Sequence, residues 1–311
     1  YGNIPGKSTY QSVPDLMNYH GSDTNLTEAL TLEAIKSIEE PIRLKMPFYL
    51  NMAHYAVHVP IQPDVQFYQS FLEEGLDTAN AKYASMVASM DKSLGDIMKF
   101  LSAKDIAKNT IIIFMSDNGG LSLGGARGKI AHVQNLPLRA GKGSMYEGGI
   151  RVPMIVKWPE VVKSNSTIHQ YVIAEDFFPS ILAMAGVSNF KTIQKVDGKS
   201  FVPLLKNNTI TDTNRILVWH YPNKWVDGDG PAINYKSAIR QGSWKLIYDL
   251  RNGHKELYNL SYDIGEHFDL SMQQPAKTKQ LTLKLKEILE KNNAPMPSYK
   301  LNSKKVEILI D

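Results

Sequence analysis

The chain has 311 residues, a formal net charge of +4, and hydrophobic and charged fractions of 43% and 21%. That length holds one large α/β domain with a smaller one appended, and the composition excludes a disordered polypeptide. Lysines are scattered without a dense run, which gives no support to nucleic-acid binding but suits an anionic substrate; no stretch is apolar enough to span a bilayer, and zero cysteines exclude disulfides and thiolate metal sites.

Residues 1–21 are rich in Gly, Pro, Ser and Asn and read as loop. Residues 24–40 predict a helix: Thr24 or Asn25 caps it, Leu26, Leu30, Ile35 and Ile38 keep helical spacing, and Pro41 stops it. Residues 48–53 predict a short buried strand, ending in a polar cluster that contains His54 and His58. Residues 78–103 read as a long amphipathic helix. Tyr83, Val87, Met90, Leu94, Ile97 and Leu101 recur along its inner face, and Lys82, Asp91, Lys92 and Lys99 along the other.

The apolar run from Ile111 to Met115 predicts a buried strand of a parallel sheet, reached from the preceding helix by a crossover. Residues 121–142 form a Gly-rich segment with little periodicity, and a loop of that length usually has a function. A strand over 153–158 and a helix over 174–185, closed by Gly186, follow. After about Asp212 the character changes. Short aromatic or β-branched runs at 216–219, 237–240, 244–248 and 256–260 predict an antiparallel meander. A last amphipathic helix over 275–292 turns Leu281, Leu285, Ile288 and Leu289 inward. The expected division is therefore 1–211 and 212–311.

Chemistry concentrates in two pieces of this plan. Asp117 and Asn118 stand at the carboxyl end of the strand at 111–115, where open α/β sheets place ligands. Their oxygens are hard donors suited to Ca²⁺ or Mg²⁺, although Asp-Asn-Gly is also a common turn. Ca²⁺ takes about six to eight oxygens, so two residues are an incomplete site. Lys142, between Gly141 and Gly143, can turn its ammonium inward, against the usual exposure of a loop lysine. A hard cation and a lysine together suit a tetrahedral oxyanion. His54 and His58 have the spacing of a helical metal pair, but Pro60 and the strand-like run before them argue against a helix. Glu147 and Arg151 flank Gly148-Gly149 and either pair with each other or brace Lys142, a supporting role in both cases. Arg127, Lys129 and His132 in the Gly-rich loop either meet an anionic saccharide or stay in solvent.

These motifs, in this order, resemble the type I (formylglycine-dependent) sulfatases of the alkaline-phosphatase superfamily. The matching pieces are residues 48–62, Asp117-Asn118-Gly119, Gly141-Lys142-Gly143 and the run Glu147-Gly148-Gly149-Ile150-Arg151-Val152-Pro153. The likeness extends from about Thr24 to the tail. It implies an alkaline-phosphatase-like α/β fold: a mixed, mostly parallel sheet with flanking helices, plus a small C-terminal antiparallel sheet with one helix. It also implies sulfuric ester hydrolysis on sulfated saccharides or aryl sulfates. Asp117 and Asn118 would help hold Ca²⁺ (Mg²⁺ possible), Lys142 would stabilise transferring charge, and His58 would assist the leaving group. Arg127 and His132 would meet substrate. His220 resembles a pocket-rim residue of saccharide sulfatases, with an internal structural role as the alternative.

The family's nucleophile motif, Cys/Ser-x-Pro-x-Arg, does not occur in this sequence. The resemblance therefore implies a carboxyl-terminal portion of a sulfatase, with the formylglycine in an upstream segment, and an exported bacterial protein. On this expectation the chain alone is inactive. Two other readings stand beside it: a phosphomonoesterase or phosphodiesterase of the same superfamily, and a non-catalytic carbohydrate-binding remnant.

Overall fold

A computed structural model describes residues 13–121, 134–225, 232–300 and 303–310. They form two compact units that divide between Thr110 and Ile111. The second unit runs across the change of character near Asp212.

The first unit contains three helices, α1 (Leu26–Arg43), α2 (Val65–Glu73) and α3 (Thr78–Ala103). Asn25 caps α1 by accepting the Glu28 N–H at 2.9 Å. Contrary to the sequence expectation, Pro41 lies inside α1, not beyond its end. At this position proline removes only one N–H of the last turn, and the helix is over two residues later. The helix α2, not foreseen from the sequence, is capped by Asp64, whose carboxylate accepts the Gln66 N–H at 2.9 Å.

The bounds of α3 match the reading, but its buried face does not. The buried positions are Ala81, Ser85, Ser89, Ser93 and Leu101, whereas Val87 is 43% exposed. The reason is close approach: a ridge of small residues at four-residue steps lets α1 and α2 pack tightly on α3. Buried hydroxyls then satisfy one another, as Thr31 Oγ1 and Ser93 Oγ do at 2.6 Å. Residues 48–53 are not a strand, and Tyr49 is 72% exposed. A short apolar run makes a strand only with a ladder partner, and none is present among the described residues.

In the second unit, β1 (Ile112–Met115) pairs antiparallel with β2 (Met154–Lys157), Ile112 opposite Lys157 and Met115 opposite Met154. Among the described residues β1 therefore has an antiparallel partner, where the sequence led us to expect a parallel one, and Ile112, Ile113 and Phe114 are half-buried. The described parts of the intervening segment hold one short helical turn, α4 (Glu147–Ile150), and no crossover helix. The chain leaves β1 and re-enters β2 at the same end, where the Ser116 N–H donates to the Pro153 carbonyl at 3.3 Å. Opposite directions follow.

Beyond β2, α5 (Phe177–Met184) and α6 (Val202–Lys206) bury Phe201, Leu204 and Leu205 against Met154, Val156 and Trp158. The meander appears as β3 (Ile216–Tyr221), β4 (Lys236–Gln241), β5 (Trp244–Asp249) and β6 (Lys255–Asn259), in that order and all antiparallel. Period-two alternation gives the sheet two apolar faces. Ile239, Leu246 and Leu257 pack with Leu281, Leu285 and Leu289 of α7 (Pro275–Lys291). On the other face Ala238, Ile247 and Tyr258 pack on Met145 and Tyr146. The segment that follows Lys142 is therefore part of the sheet's own core.

Two exchanges test which face of α3 is packed. Ser85→Leu overfills the small-residue ridge and is expected to lower unfolding free energy by about 1–3 kcal/mol. Val87→Ser, on the exposed face, is expected to change it by about 0.5 kcal/mol or less. Denaturant titration followed by circular dichroism reads both, and a larger loss for Val87→Ser would refute the assignment.

Candidate active site

The Asp117-Asn118-Gly119 corner begins where β1 ends. Asp117 is exposed and Asn118 half-buried, while Gly119 is buried. A Cβ on Gly119 would lie 1.7 Å from the Gly148 carbonyl oxygen, and the Gly119 N–H donates to the Gly149 carbonyl at 3.0 Å. Only glycine permits that contact. Gly120 continues the strap, its carbonyl accepting the Lys142 N–H at 3.0 Å. Asn135 braces the same point: Nδ2 donates to the carbonyls of Gly120 and Ala140 at 2.8 and 2.9 Å, and Oδ1 accepts the Gly120 N–H at 3.1 Å. Sequence reasoning missed Asn135. An isolated polar residue in a long loop carries no periodic signal.

Lys142 is half-buried, with no ion pair among the described residues. Gly143 has φ +84°, and a Cβ there would lie 2.1 Å from the Trp225 ring. The tight turn foreseen for the flanking glycines is present at Gly143. Asp117, Asn118 and Lys142 thus lie on backbone segments tied directly to one another.

Glu147, five residues on, is 1% exposed. Its carboxylate receives Lys245 Nζ at 2.9 Å, Arg240 at 3.1 Å and Arg151 at 3.4 Å. Its N–H donates to Glu266 Oε2 at 2.6 Å, and Glu266 Oε1 lies 2.8 Å from the same lysine. Arg240 also stacks on Tyr171, 3.5 Å from the ring centroid. Burial alone would push the Glu147 carboxyl up; the cations Lys245, Arg240 and Arg151 outweigh it and hold the group below 4.5. Glu266, with the shared lysine as its main cation and Glu147 as a like charge, is pushed above 4.5, chiefly by burial. The pairing of Glu147 with Arg151 read from the sequence exists but is the longest of the three. Lys245, Arg240 and Glu266 were not foreseen; nothing local marks them, because they come from β4, β5 and the loop after β6.

The histidines differ sharply. His58 is exposed, its Nδ1 2.9 Å from the Val59 carbonyl. His54 is half-buried against Ser93, 3.3 Å from Nε2, and burial lowers its pKa. Both lie in the first unit and outside any helix, so no helical metal pair forms. His220 engages both ring nitrogens internally, Nδ1 with Ser237 Oγ at 2.7 Å and Nε2 with the Pro295 carbonyl at 2.6 Å. That geometry favours the structural role over the pocket rim. Arg127, Lys129 and His132 lie outside the described residues.

The donor chemistry of Asp117 and Asn118 fits a hard cation. Among the described residues no group of three His, Cys, Asp or Glu could hold a metal by itself. Asp117 and Asn118 alone would therefore be an incomplete ligand set for such a cation.

Comparison with known proteins agrees with these local features. The profile described as Sulfatase matches residues 1–187, and that described as N-sulphoglucosamine sulphohydrolase, C-terminal, matches residues 140–294. A protein named Sulfatase from Formosa agariphila is 34% identical over 92% of this chain and 54% of its own length. The mouse N-acetylgalactosamine-6-sulfatase is 29% identical over 84% of this chain and 51% of its own. Among solved structures, Ps i-CgsB in complex with k-i-k-neocarrahexaose superposes with a TM-score of 0.72 at 28% identity, over 88% of this chain and 56% of that one. The chain spans about half the length of these relatives.

The buried cluster yields a stability prediction. Lys245→Met leaves Glu266 without its main counterion and Glu147 with Arg240 and Arg151 only, and is expected to cost about 3–5 kcal/mol in denaturant unfolding at neutral pH. Glu147→Gln should cost more than Glu266→Gln. Glu147, held low, contributes stability present above 4.5 and lost as pH falls through its folded pKa. Glu266, held high, contributes stability present below 4.5 and lost as pH rises through its folded pKa, so its charge adds little at neutrality. Equal costs at pH ~7 would contradict the assignment.

Proposed function

The chain belongs to the sulfatase family, and on that premise we propose that its parent protein is a sulfuric ester hydrolase acting on sulfated saccharides. The observation that carries the reading is the strap between the metal corner and the lysine: Lys142 N–H on Gly120, Gly119 N–H on Gly149, and glycine contacts that admit no side chain. Net hydrolysis breaks the bond between sulfur and the alcohol oxygen. That oxygen takes a proton, and the oxygen of water ends on sulfate.

Each role follows from residue chemistry together with the family resemblance. Lys142 supplies a fixed positive charge to the sulfate oxygens or the bridging oxygen as negative charge develops. His58, with Nδ1 at a backbone carbonyl, has Nε2 for a proton to the departing alcohol. Asp117 and Asn118 would be two of the ligands of Ca²⁺, or Mg²⁺, which when bound supplies positive charge for binding and activating the nucleophile. By the same resemblance the nucleophile is a formylglycine. This sequence has no cysteine and no Ser-x-Pro-x-Arg, so the proposal assigns that residue to another segment of the parent protein. We assign the protein to an exported bacterial setting, in keeping with its bacterial relative.

The test is kinetic. In the complete protein, Lys142→Ala is expected to lower kcat for nitrophenyl sulfate by about 10²–10³. The 311 residues alone are expected to show no turnover. Preference for nitrophenyl phosphate over the sulfate would overturn the substrate class, and robust turnover by these residues alone would overturn the placement of the nucleophile.

A further inference from the structure

Ala140, two residues before Lys142, has φ +60°, a left-handed conformation that strains an L-residue by bringing its Cβ close to the following carbonyl oxygen. A residue keeps such a conformation only where its surroundings hold it. Two groups hold it here. The Ala140 methyl packs against the cluster that contains Met145 and Tyr146, and the Ala140 carbonyl accepts Asn135 Nδ2 at 2.9 Å. That carbonyl also stands close over Gly148, where a Cβ would lie 2.4 Å from its oxygen.

The same amide reaches the neighbouring segment. Asn135 Nδ2 donates to the Gly120 carbonyl at 2.8 Å, and Oδ1 accepts the Gly120 N–H at 3.1 Å. A primary amide has two N–H donors and one acceptor oxygen, so all three groups are engaged. The Gly120 carbonyl is shared: it accepts Asn135 Nδ2 and also the backbone N–H of Lys142, at 3.0 Å. Asn135 is half-buried, and every group in this clamp belongs to the second unit.

The Asp117-Asn118 corner has bonds that do not involve Asn135. Ser116 Oγ donates to the Asn118 carbonyl at 2.9 Å, and the Gly119 N–H to the Gly149 carbonyl at 3.0 Å. Lys142 is placed differently. Its turn is entered through Ala140, and its own N–H rests on the carbonyl that Asn135 holds.

Resting on the reading of Lys142 as the charge that stabilises the reacting sulfate, we infer that Asn135 is a positioning residue for that lysine. By holding Ala140 and Gly120 it fixes the backbone from which Lys142 presents its ammonium, and it acts on the reaction through Lys142 alone. A small displacement of a catalytic group lowers rate steeply without changing what the group is.

The experiment compares the complete protein with its Asn135→Ala, Asn135→Asp and Lys142→Ala variants and with the double variant Asn135→Ala, Lys142→Ala. Each is assayed on nitrophenyl sulfate, melted thermally and titrated with calcium in a calorimeter. Asn135→Asp keeps the shape and the acceptor for the Gly120 N–H but removes the donors to both carbonyls. Both Asn135 variants are expected to remain folded at the assay temperature and to lower kcat roughly 10–100-fold, with KM within about threefold. Calcium affinity is expected to stay within about twofold, because the corner keeps its own bonds. Once Lys142 is alanine, Asn135→Ala is expected to cost no more than about twofold further.

A double variant that shows the product of the two single losses would overturn the inference, because residues that act independently multiply. Undiminished kcat in Asn135→Asp would overturn it, as would a calcium affinity that falls as far as kcat, which would place the action at the metal corner. A loss of kcat matched by an equal loss of folded protein would reduce Asn135 to a purely structural role. Undiminished kcat in Lys142→Ala would remove the reading of Lys142 and the inference with it, while the sulfatase reading stands. No sulfate ester hydrolysis by the unsubstituted protein would remove that reading itself.

Discussion

The second unit is organised around one buried carboxylate. Glu147 has essentially no contact with solvent, and an ionised group there is tolerable only because Lys245 and Arg240 arrive from the neighbouring strands of the meander. The constraint is mutual. The two cations are as deeply buried as the acid, so loss of any one of the three unbalances the charge of the whole cluster. Glu266 fixes the backbone of Glu147 as well, by accepting its N–H. A one-turn helix of four residues, which has little stability of its own, is thereby held at a defined point of the sheet.

The fixed point is transmitted by backbone, not by further side chains. Gly148 and Gly149 come directly after Glu147, and Gly119 rests on both, so the end of β1 is registered against the cluster through atoms that have no rotamers. Lys142 is caught on the same strap through Gly120 and Asn135. This division suits a site that must present charge. Asp117 remains exposed and Lys142 keeps its ammonium out of any ion pair among the described residues, while rigidity is supplied by groups beneath them. The C-terminal sheet is therefore a structural support of the candidate site as well as a lobe with its own core.

Much of this architecture was legible in advance because it follows local periodicities. The four strands of the meander announce themselves as short β-branched and aromatic runs between turns, and α7 as leucines at helical spacing. The 26 residues of α3 were bounded by their amphipathic pattern. Its packing was not, because the ridge that packs is built from Ala and Ser, which hydrophobic periodicity ignores. Residues 48–53 show the converse. Their short apolar run is that of a buried strand, yet a strand is a property of two segments, and among the described residues no second segment pairs with it.

The sequence by itself determined the residue types of the site. Asp-Asn-Gly after an apolar run, a lysine between glycines, and Glu-Gly-Gly-Ile-Arg-Val-Pro in that order are chemistry written at short range. Tertiary structure alone decided what each of them touches. Glu147 read as a partner of Arg151 four residues away or as a brace for Lys142, but its nearer partners, Arg240 and Lys245, lie 93 and 98 residues along the chain. For His220 the residue type left a pocket-rim role and an internal structural role both open, and in the fold Ser237 and Pro295 engage both of its nitrogens. Long-range ion pairs and buried hydrogen bonds depend on which strands become neighbours. No periodicity within a single segment encodes that choice.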